Sequence, residues 1–191
     1  QLTYADNTGV GKTNIQILLF PLTTMILLPS VAQLYTMERE DGLLHAMELA
    51  SMQIDAYWVG MYLFTVVYTF VYSFLYIICG YAVGLNAFTF PPMLLHLLLA
   101  LVWSHTQAAL AMLCSAVFTK ARMATIVTVL AVLLTAVSGY VITNALDVWP
   151  SWLYVFLPFA YTSACSNLMI YNGGMEFYKA LASLFFGSAV I

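Results

Sequence analysis

The sequence predicts an all-α fold: a polytopic helical membrane domain with an amphipathic helix on one side and a re-entrant helical hairpin on the other. Of its 191 residues, 63% are hydrophobic and 7% are charged, and the mean hydropathy is +0.94. Soluble domains carry about 25% charged residues, so this composition indicates a lipid environment. The net charge of −3 provides no basic surface for nucleic acid.

Four apolar runs are each long enough to cross a bilayer as a helix. They cover residues 15–35, 57–81, 93–118 and 123–143. About 20 residues, at about 1.5 Å each, span the hydrocarbon core. Another apolar run begins at Glu176 and reaches Ile191, where we expect a truncated last span. We therefore expect residues 1–191 to form a single membrane domain cut from a longer protein.

Residues 38–55 hold the concentrated charge of the chain and separate the first two apolar runs. At about 100° per residue this segment is amphipathic. Its apolar side carries Leu43, Leu44, Met47, Ala50 and Ile54, and its polar side carries Asp41, His45, Glu48 and Asp55. The pattern predicts one amphipathic helix at the membrane surface, which begins with Glu38, Arg39 and Glu40.

Residues 151–171 are apolar but are interrupted by Pro158, and their second half is polar. That half contains Thr162, Ser163, Ser166 and Asn167. Two short helices that dip into the membrane and return fit this composition better than a clean crossing.

The basic residues predict the orientation of the spans. If the spans alternate in direction, Arg39, Lys120 and Arg122 lie on one side, and Lys12 and Lys179 lie on the other. Basic residues favour the cytoplasm, so the charged segment and the short turn at Lys120 and Arg122 are expected there.

Polar residues within the spans are candidates for a transport pathway, because such groups are costly in lipid. Tyr68, Tyr72 and Tyr76 form a stripe at intervals of four that could line a cavity or join neighbouring helices. His96 and His105 could likewise serve in packing or in a pathway. Nine positions apart, they lie on opposite faces of one helix and cannot hold one metal ion from that helix alone.

The sequence offers no machinery for bond chemistry. Residues 9–13 suggest a phosphate loop, but Asp6 stands where the first glycine of that motif belongs. A nucleophile elbow and a metalloprotease helix are also lacking, so we expect no catalytic residue and no metal site.

Three stretches together resemble a known family. They are the glutamate-rich residues 37–44, followed by Tyr57-Trp58 at the start of the next span; the turn at 117–125; and the Pro-Phe segment at 157–160. Over residues 15–191 the chain resembles eukaryotic ABC-2 type exporters, which belong to the ATP-binding-cassette transporters. Subfamily A is the most similar, with subfamilies G and H as relatives.

The resemblance implies the permease half of an ATP-driven exporter, without its first helix and its nucleotide-binding domain. Such a half moves lipid or another hydrophobic substrate by alternating access, together with a second transmembrane half in the same chain or in a dimer partner. The associated nucleotide-binding domain would bind ATP and Mg. The resemblance assigns a coupling-helix role to Glu38, Arg39, Glu40, Asp41, His45 and Glu48. The alternatives are an ATP-independent channel or secondary transporter, and an intramembrane enzyme that uses His96 or His105.

Overall fold

The computed structural model describes residues 18–49, 51, 53–85, 88, 91–145, 151–171 and 175–190. These residues are helical or lie in short connections. The α-helices are α1 (Leu18–Glu40), α2 (Leu43–Leu49), α3 (Ile54–Val83), α4 (Met93–Val117), α5 (Ala121–Ala145), α6 (Leu157–Tyr171) and α7 (Met175–Val190). A 3-10 turn, Ser151–Val155, precedes α6.

Four of these helices, α1, α3, α4 and α5, are long and apolar enough to cross a membrane. They contain 23, 30, 25 and 25 residues, and about 20 residues suffice for the hydrocarbon core. The four predicted spans are therefore confirmed by length and composition. The first extends to Glu40, five positions beyond its predicted end at Tyr35.

Helix α1 is interrupted by a turn at Ile26. Pro29 explains the position of this interruption, because it has no N–H to donate to the carbonyl of Met25 and its ring crowds that carbonyl. The continuous part that follows is Leu27–Glu40. The first span is thus two helical pieces in series.

The prediction of one continuous amphipathic helix over residues 38–55 is wrong. The charged residues Glu38 to Glu40 belong to the last turn of α1, and only the seven residues of α2 form a separate helix. Gly42, at φ +71°, ends the first helix in the left-handed conformation that glycine adopts without strain. Ser51, at φ 66°, separates α2 from α3.

The bundle packs around α4 and α6. Helix α1 lies against α4 and α5, α3 lies against α4, and α7 lies against α6 and α4. On α4 the residues that allow close approach are small and buried: Ala100, Ser104, Ala108 and Ala111. The largest fully buried side chains include Trp103, Tyr35 and Tyr161.

Helix α6 is enclosed by the rest of the chain over its central part. Residues 160–168 are all buried, including the polar ones that the sequence singled out. Pro158 lies in its first turn, where a missing N–H breaks no helical hydrogen bond. Leu157 fills the space over Gly187, with its Cδ2 2.6 Å from an ideal Cβ there, so the start of α6 meets the end of α7. The two helices are therefore antiparallel, and the re-entrant course predicted for residues 151–171 remains a prediction.

Candidate functional site

The last turn of α1 carries three charged residues that each reach a different helix. Glu38 is the first of them, and its Oε2 accepts a hydrogen bond from the hydroxyl of Tyr57, in the first turn of α3. The neighbouring Trp58 stacks on Tyr35, with ring centroids 6.4 Å apart. The end of α1 is thereby fixed to the start of α3 across the short helix α2.

Arg39 binds the carboxyl end of α4. Its Nη1 donates to the carbonyl oxygen of Ser115 at 2.7 Å. This carbonyl belongs to the last turn of α4, where backbone oxygens have no partner within the helix. A cation at a helix C-terminus also interacts favourably with the helix dipole. Arg39 therefore acts as a C-terminal cap supplied by another helix.

Glu40 binds the amino end of α5. Its Oε2 accepts a hydrogen bond from the backbone N–H of Ala121 at 2.9 Å, and its Oε1 lies 3.1 Å from the Nζ of Lys120. Ala121 is the first residue of α5, so the carboxylate sits where helix amides are unpaired and the dipole favours negative charge. Glu40 therefore caps α5 from outside, and the ion pair with Lys120 holds it in place.

We call these three consecutive residues, Glu38, Arg39 and Glu40, the clamp. The clamp fastens the end of α1 to α3, α4 and α5. The sequence predicted that these charges face water or a partner; Arg39 and Glu40 are indeed exposed, and all three residues also make contacts within the chain that the sequence did not indicate. Local periodicity could not reveal this, because the residues they contact at Ser115 and Ala121 are 76 and 81 positions away.

The other predicted coupling residues have fewer described contacts. Asp41 and His45 are exposed, and the side chain of Glu48 lies outside the described part of the chain. Arg122 is also exposed, and Lys120 keeps 68% of its side chain exposed beside Glu40.

Helix α2 projects from the bundle next to the clamp. Two of its apolar side chains are exposed, Leu43 at 44% and Leu49 at 75%. Among the described residues, α2 contacts mainly its neighbours along the chain, α1 and α3. Exposed apolar groups beside charged ones are typical of a surface that binds a partner.

The three tyrosines of the stripe on α3 have different neighbours. The hydroxyl of Tyr72 donates to the carbonyl oxygen of Thr23 at 3.3 Å, and the hydroxyl of Tyr76 lies 3.3 Å from Thr23 Oγ1. These two tyrosines join α3 to α1. Tyr68 is 49% exposed and stacks on Phe64.

The two histidines of α4 lie in separate aromatic environments. His105 hydrogen-bonds through Nδ1 to the hydroxyl of Tyr62 on α3 and lies beside Phe185 of α7. His96 is 1% exposed and stacks on Phe88, with ring centroids 5.4 Å apart. The described residues contain no group of three or more side chains able to hold a metal ion.

A feature that the sequence reasoning missed is an exposed stripe on α1. Five exposed residues fall within an arc of about 100° at about 100° per residue: Ile26, Ser30, Gln33, Leu34 and Met37. Two of them are polar although they lie in the middle of an apolar span. The sequence does contain a signal for this stripe. Residues 26 and 33, and residues 30 and 37, are each seven positions apart, which places them on the same face of a helix.

The family comparison settles the class of the protein. The family model for the ABC-2 type transporter matches residues 2–167, which is most of the chain. This chain belongs to the ABC-2 type transporter family. Comparisons with curated proteins and with solved structures return no match.

Membership of the ABC-2 type family makes the chain the transmembrane component of a transporter and a multi-pass membrane protein. Membrane domains of this family generally pair with nucleotide-binding domains. Of the three readings left open by the sequence, the transporter is the one that the comparison supports. Subfamily and cargo remain predictions.

Proposed function

We propose that this chain is the membrane half of an ATP-driven exporter of lipid or another hydrophobic molecule, and that it is driven through α2 and the clamp. The partner is an associated nucleotide-binding domain that binds ATP and Mg. A second transmembrane half, in the same chain or in a dimer partner, completes the pathway. The chain itself contributes no catalytic residue to ATP hydrolysis.

The observation that carries this proposal is the exposed helix α2 next to a firmly connected clamp. Leu49 is the most exposed apolar residue of α2, at 75%. A partner that covers it would remove apolar area from water, which is the main source of affinity in protein association. Because α2 sits between α1 and α3, a push on α2 reaches both helices at once.

The clamp explains how such a push would spread. Since Glu38, Arg39 and Glu40 bind α3, α4 and α5, the end of α1 cannot shift without moving the ends of three other helices. Coupling between two sites requires an element whose arrangement both sites bias. In this proposal that element is the cytoplasmic end of the bundle, which moves as one piece.

The pathway is proposed along the exposed stripe of α1. Ser30 and Gln33 present polar groups from the middle of an apolar helix, a placement that lipid alone would not favour. Leu34 and Met37 provide apolar surface beside them. A mixed surface of this kind suits an amphipathic cargo. We do not place Tyr72 and Tyr76 in this pathway, because their hydroxyls contact Thr23 of α1.

The experiment that tests the coupling role is Leu49→Glu in the full transporter with its nucleotide-binding domain. The side chain is exposed, so the substitution should leave expression and membrane insertion near the wild-type level, as surface changes cost within about 0.5 kcal/mol. Co-purification of the nucleotide-binding domain and ATP-dependent transport of a fluorescent phospholipid should both fall.

The matched control is Val83→Glu, at the opposite end of α3. Val83 is 73% exposed, so the two changes are alike in chemistry and in exposure. It should leave association with the nucleotide-binding domain unchanged. If Leu49→Glu binds that domain as tightly as Val83→Glu does, α2 is not the docking element.

A further inference from the structure

A buried polar junction joins α1, α4 and α6 far from the clamp. Thr24 of α1, Trp103 and Gln107 of α4, and Tyr161 of α6 are each 2% exposed or less. Thr24 precedes Glu40 by sixteen residues, about 24 Å along a helix. The junction therefore lies towards the other end of the bundle.

The hydroxyls of Thr24 and Tyr161 form the direct polar bond between α1 and α6, with their oxygens 2.7 Å apart. Thr24 Oγ1 also lies 3.0 Å from the carbonyl oxygen of Phe20 and 3.1 Å from that of Pro21. A threonine hydroxyl has one proton to donate. Those carbonyls can only accept, so the arrangement that satisfies all of these contacts has Thr24 donating to a carbonyl and Tyr161 donating to Thr24.

Both partners of this bond are held in place by α4. The ring of Tyr161 stacks on Trp103, with centroids 4.0 Å apart and planes 17° apart. Trp103 Nε1 and Gln107 Nε2 each lie 3.5 Å from the carbonyl oxygen of Thr24. This carbonyl is in the turn before the interruption at Ile26, where α1 leaves backbone groups without helical partners.

We propose that Thr24 and Tyr161 are positioning residues through which a movement of α1 sets the position of α6. Helix α1 packs mainly along α5 and α4, and α6 packs mainly along α7. Helix α5 contacts both α1 and α6, so the bond adds a direct link beside that shared neighbour. No water replaces a hydrogen bond buried this deeply, and its loss is costly. The inference rests on the proposed function, because the clamp delivers the movement to α1.

The test uses the full transporter with Cys79 and Cys114 replaced by serine or alanine, and with Cys165 kept because it is fully buried and contacts Tyr161. One environment-sensitive fluorophore is attached to a single new cysteine, either Met37→Cys or Val155→Cys. Met37 is 50% exposed and lies next to the clamp, and Val155 is 79% exposed in the 3-10 turn before α6. Emission is compared without nucleotide and with ATP plus vanadate.

With native Thr24 and Tyr161, we expect both reporters to respond to ATP. With Tyr161→Phe, Thr24→Val or both, the Met37 reporter should still respond. The response at Val155 should be at least about fivefold smaller, at the lower end of typical coupling. The matched control is Thr36→Val. Thr36 is equally buried in α1, but among the described residues its hydroxyl bonds to the carbonyl oxygen of Ala32 in its own helix, at 2.7 Å, and to no other helix. The response should therefore be unchanged.

Thermal stability separates positioning from a merely structural role. Thr24→Val leaves the buried Tyr161 hydroxyl without this acceptor, whereas Tyr161→Phe leaves Thr24 bonded to Phe20 and keeps the stack on Trp103. Thr24→Val should therefore be the least stable of the three variants, while all three lose the Val155 response equally.

Two outcomes overturn the inference. In the first, the Met37 reporter responds in every variant, and the Val155 response is lost only in the variants with reduced thermal stability and survives in Tyr161→Phe. The bond is then merely structural, and the proposed function stands. If Met37 itself does not respond in the native background, the coupling through α1 fails, and this inference fails with it.

Discussion

Removal of the Arg39 guanidinium should cost the transporter measurable stability, because this side chain caps α4 from another helix. Arg39→Met keeps much of the aliphatic stem and deletes the charged donor that lies 2.7 Å from the carbonyl oxygen of Ser115. Hydrogen bonds to charged groups contribute about 1.5–3 kcal/mol. Arg39 is largely exposed, so water can take over part of the bond, and we expect a loss of about 1–2 kcal/mol.

The measurement is the apparent melting temperature of the purified transporter in lipid nanodiscs. A loss of 1 kcal/mol lowers the melting temperature of a domain of 150–250 residues by about 2–4 °C, so a decrease of about 2–8 °C is expected. Arg122→Met is the matched control. It removes the same charge at the same end of the bundle, where the described residues show no hydrogen bond to that side chain. Equal melting temperatures for the two variants would refute the capping role of Arg39.

Three further changes probe other contacts of the bundle. Tyr35→Phe removes a buried hydroxyl that joins α1 to α3 by donating to the carbonyl oxygen of Met61 at 2.8 Å. The free energy of unfolding should fall by about 0.5–1.5 kcal/mol, which the same melting assay would detect. Gly80→Ala places a Cβ 2.6 Å from the Phe88 ring; a loss of about 1–3 kcal/mol is expected, and an unchanged melting temperature would mean that the ring moves freely. A single cysteine at Lys120 should react with an impermeant thiol reagent only after the membrane is opened; reaction in intact cells would reverse the predicted orientation.

The clamp also changes the expected result of reversing the charge on Glu38, Glu40 and Glu48 together. A charged surface helix is usually solvated, so an amphipathic pattern by itself would predict little effect of this reversal on folding. The structure places Glu38 on Tyr57 and Glu40 on the amide of Ala121, so the reversal would put cations at the amino end of α5 and remove two interhelical bonds. We now expect reduced stability together with reduced transport.

The spans were predictable because apolar run length is a local property of the sequence. The break between α1 and α2 also had a local signal, since Gly42 follows the charged run and glycine commonly ends helices. The amphipathic pattern over residues 38–55 did not indicate this break. The regular spacing of apolar residues can continue by chance across a turn.

The contacts of the candidate site were not predictable, because they join residues far apart in the chain. The partners of Arg39 and Glu40 lie on α4 and α5, and no helical period indicates which carbonyl or amide a charge will reach. The tyrosine stripe shows the same limit. Its spacing specifies one face of α3, but whether that face meets Thr23 of α1 or a cavity depends on the assembled bundle.

The enclosure of α6 has a consequence for biogenesis. Thr162, Ser163 and Asn167 make this helix a poor candidate for partitioning into lipid by itself. Its polar residues are instead surrounded by protein, because α6 packs against α4, α5 and α7. We therefore expect α4 and α5 to leave the insertion machinery first and to present one side of a slot that accepts polar residues. Helix α6 packs into this slot, and α7, which follows it in the chain, then covers its other side. Nascent chains stopped before residue 151 would then expose that slot to quality control in the membrane.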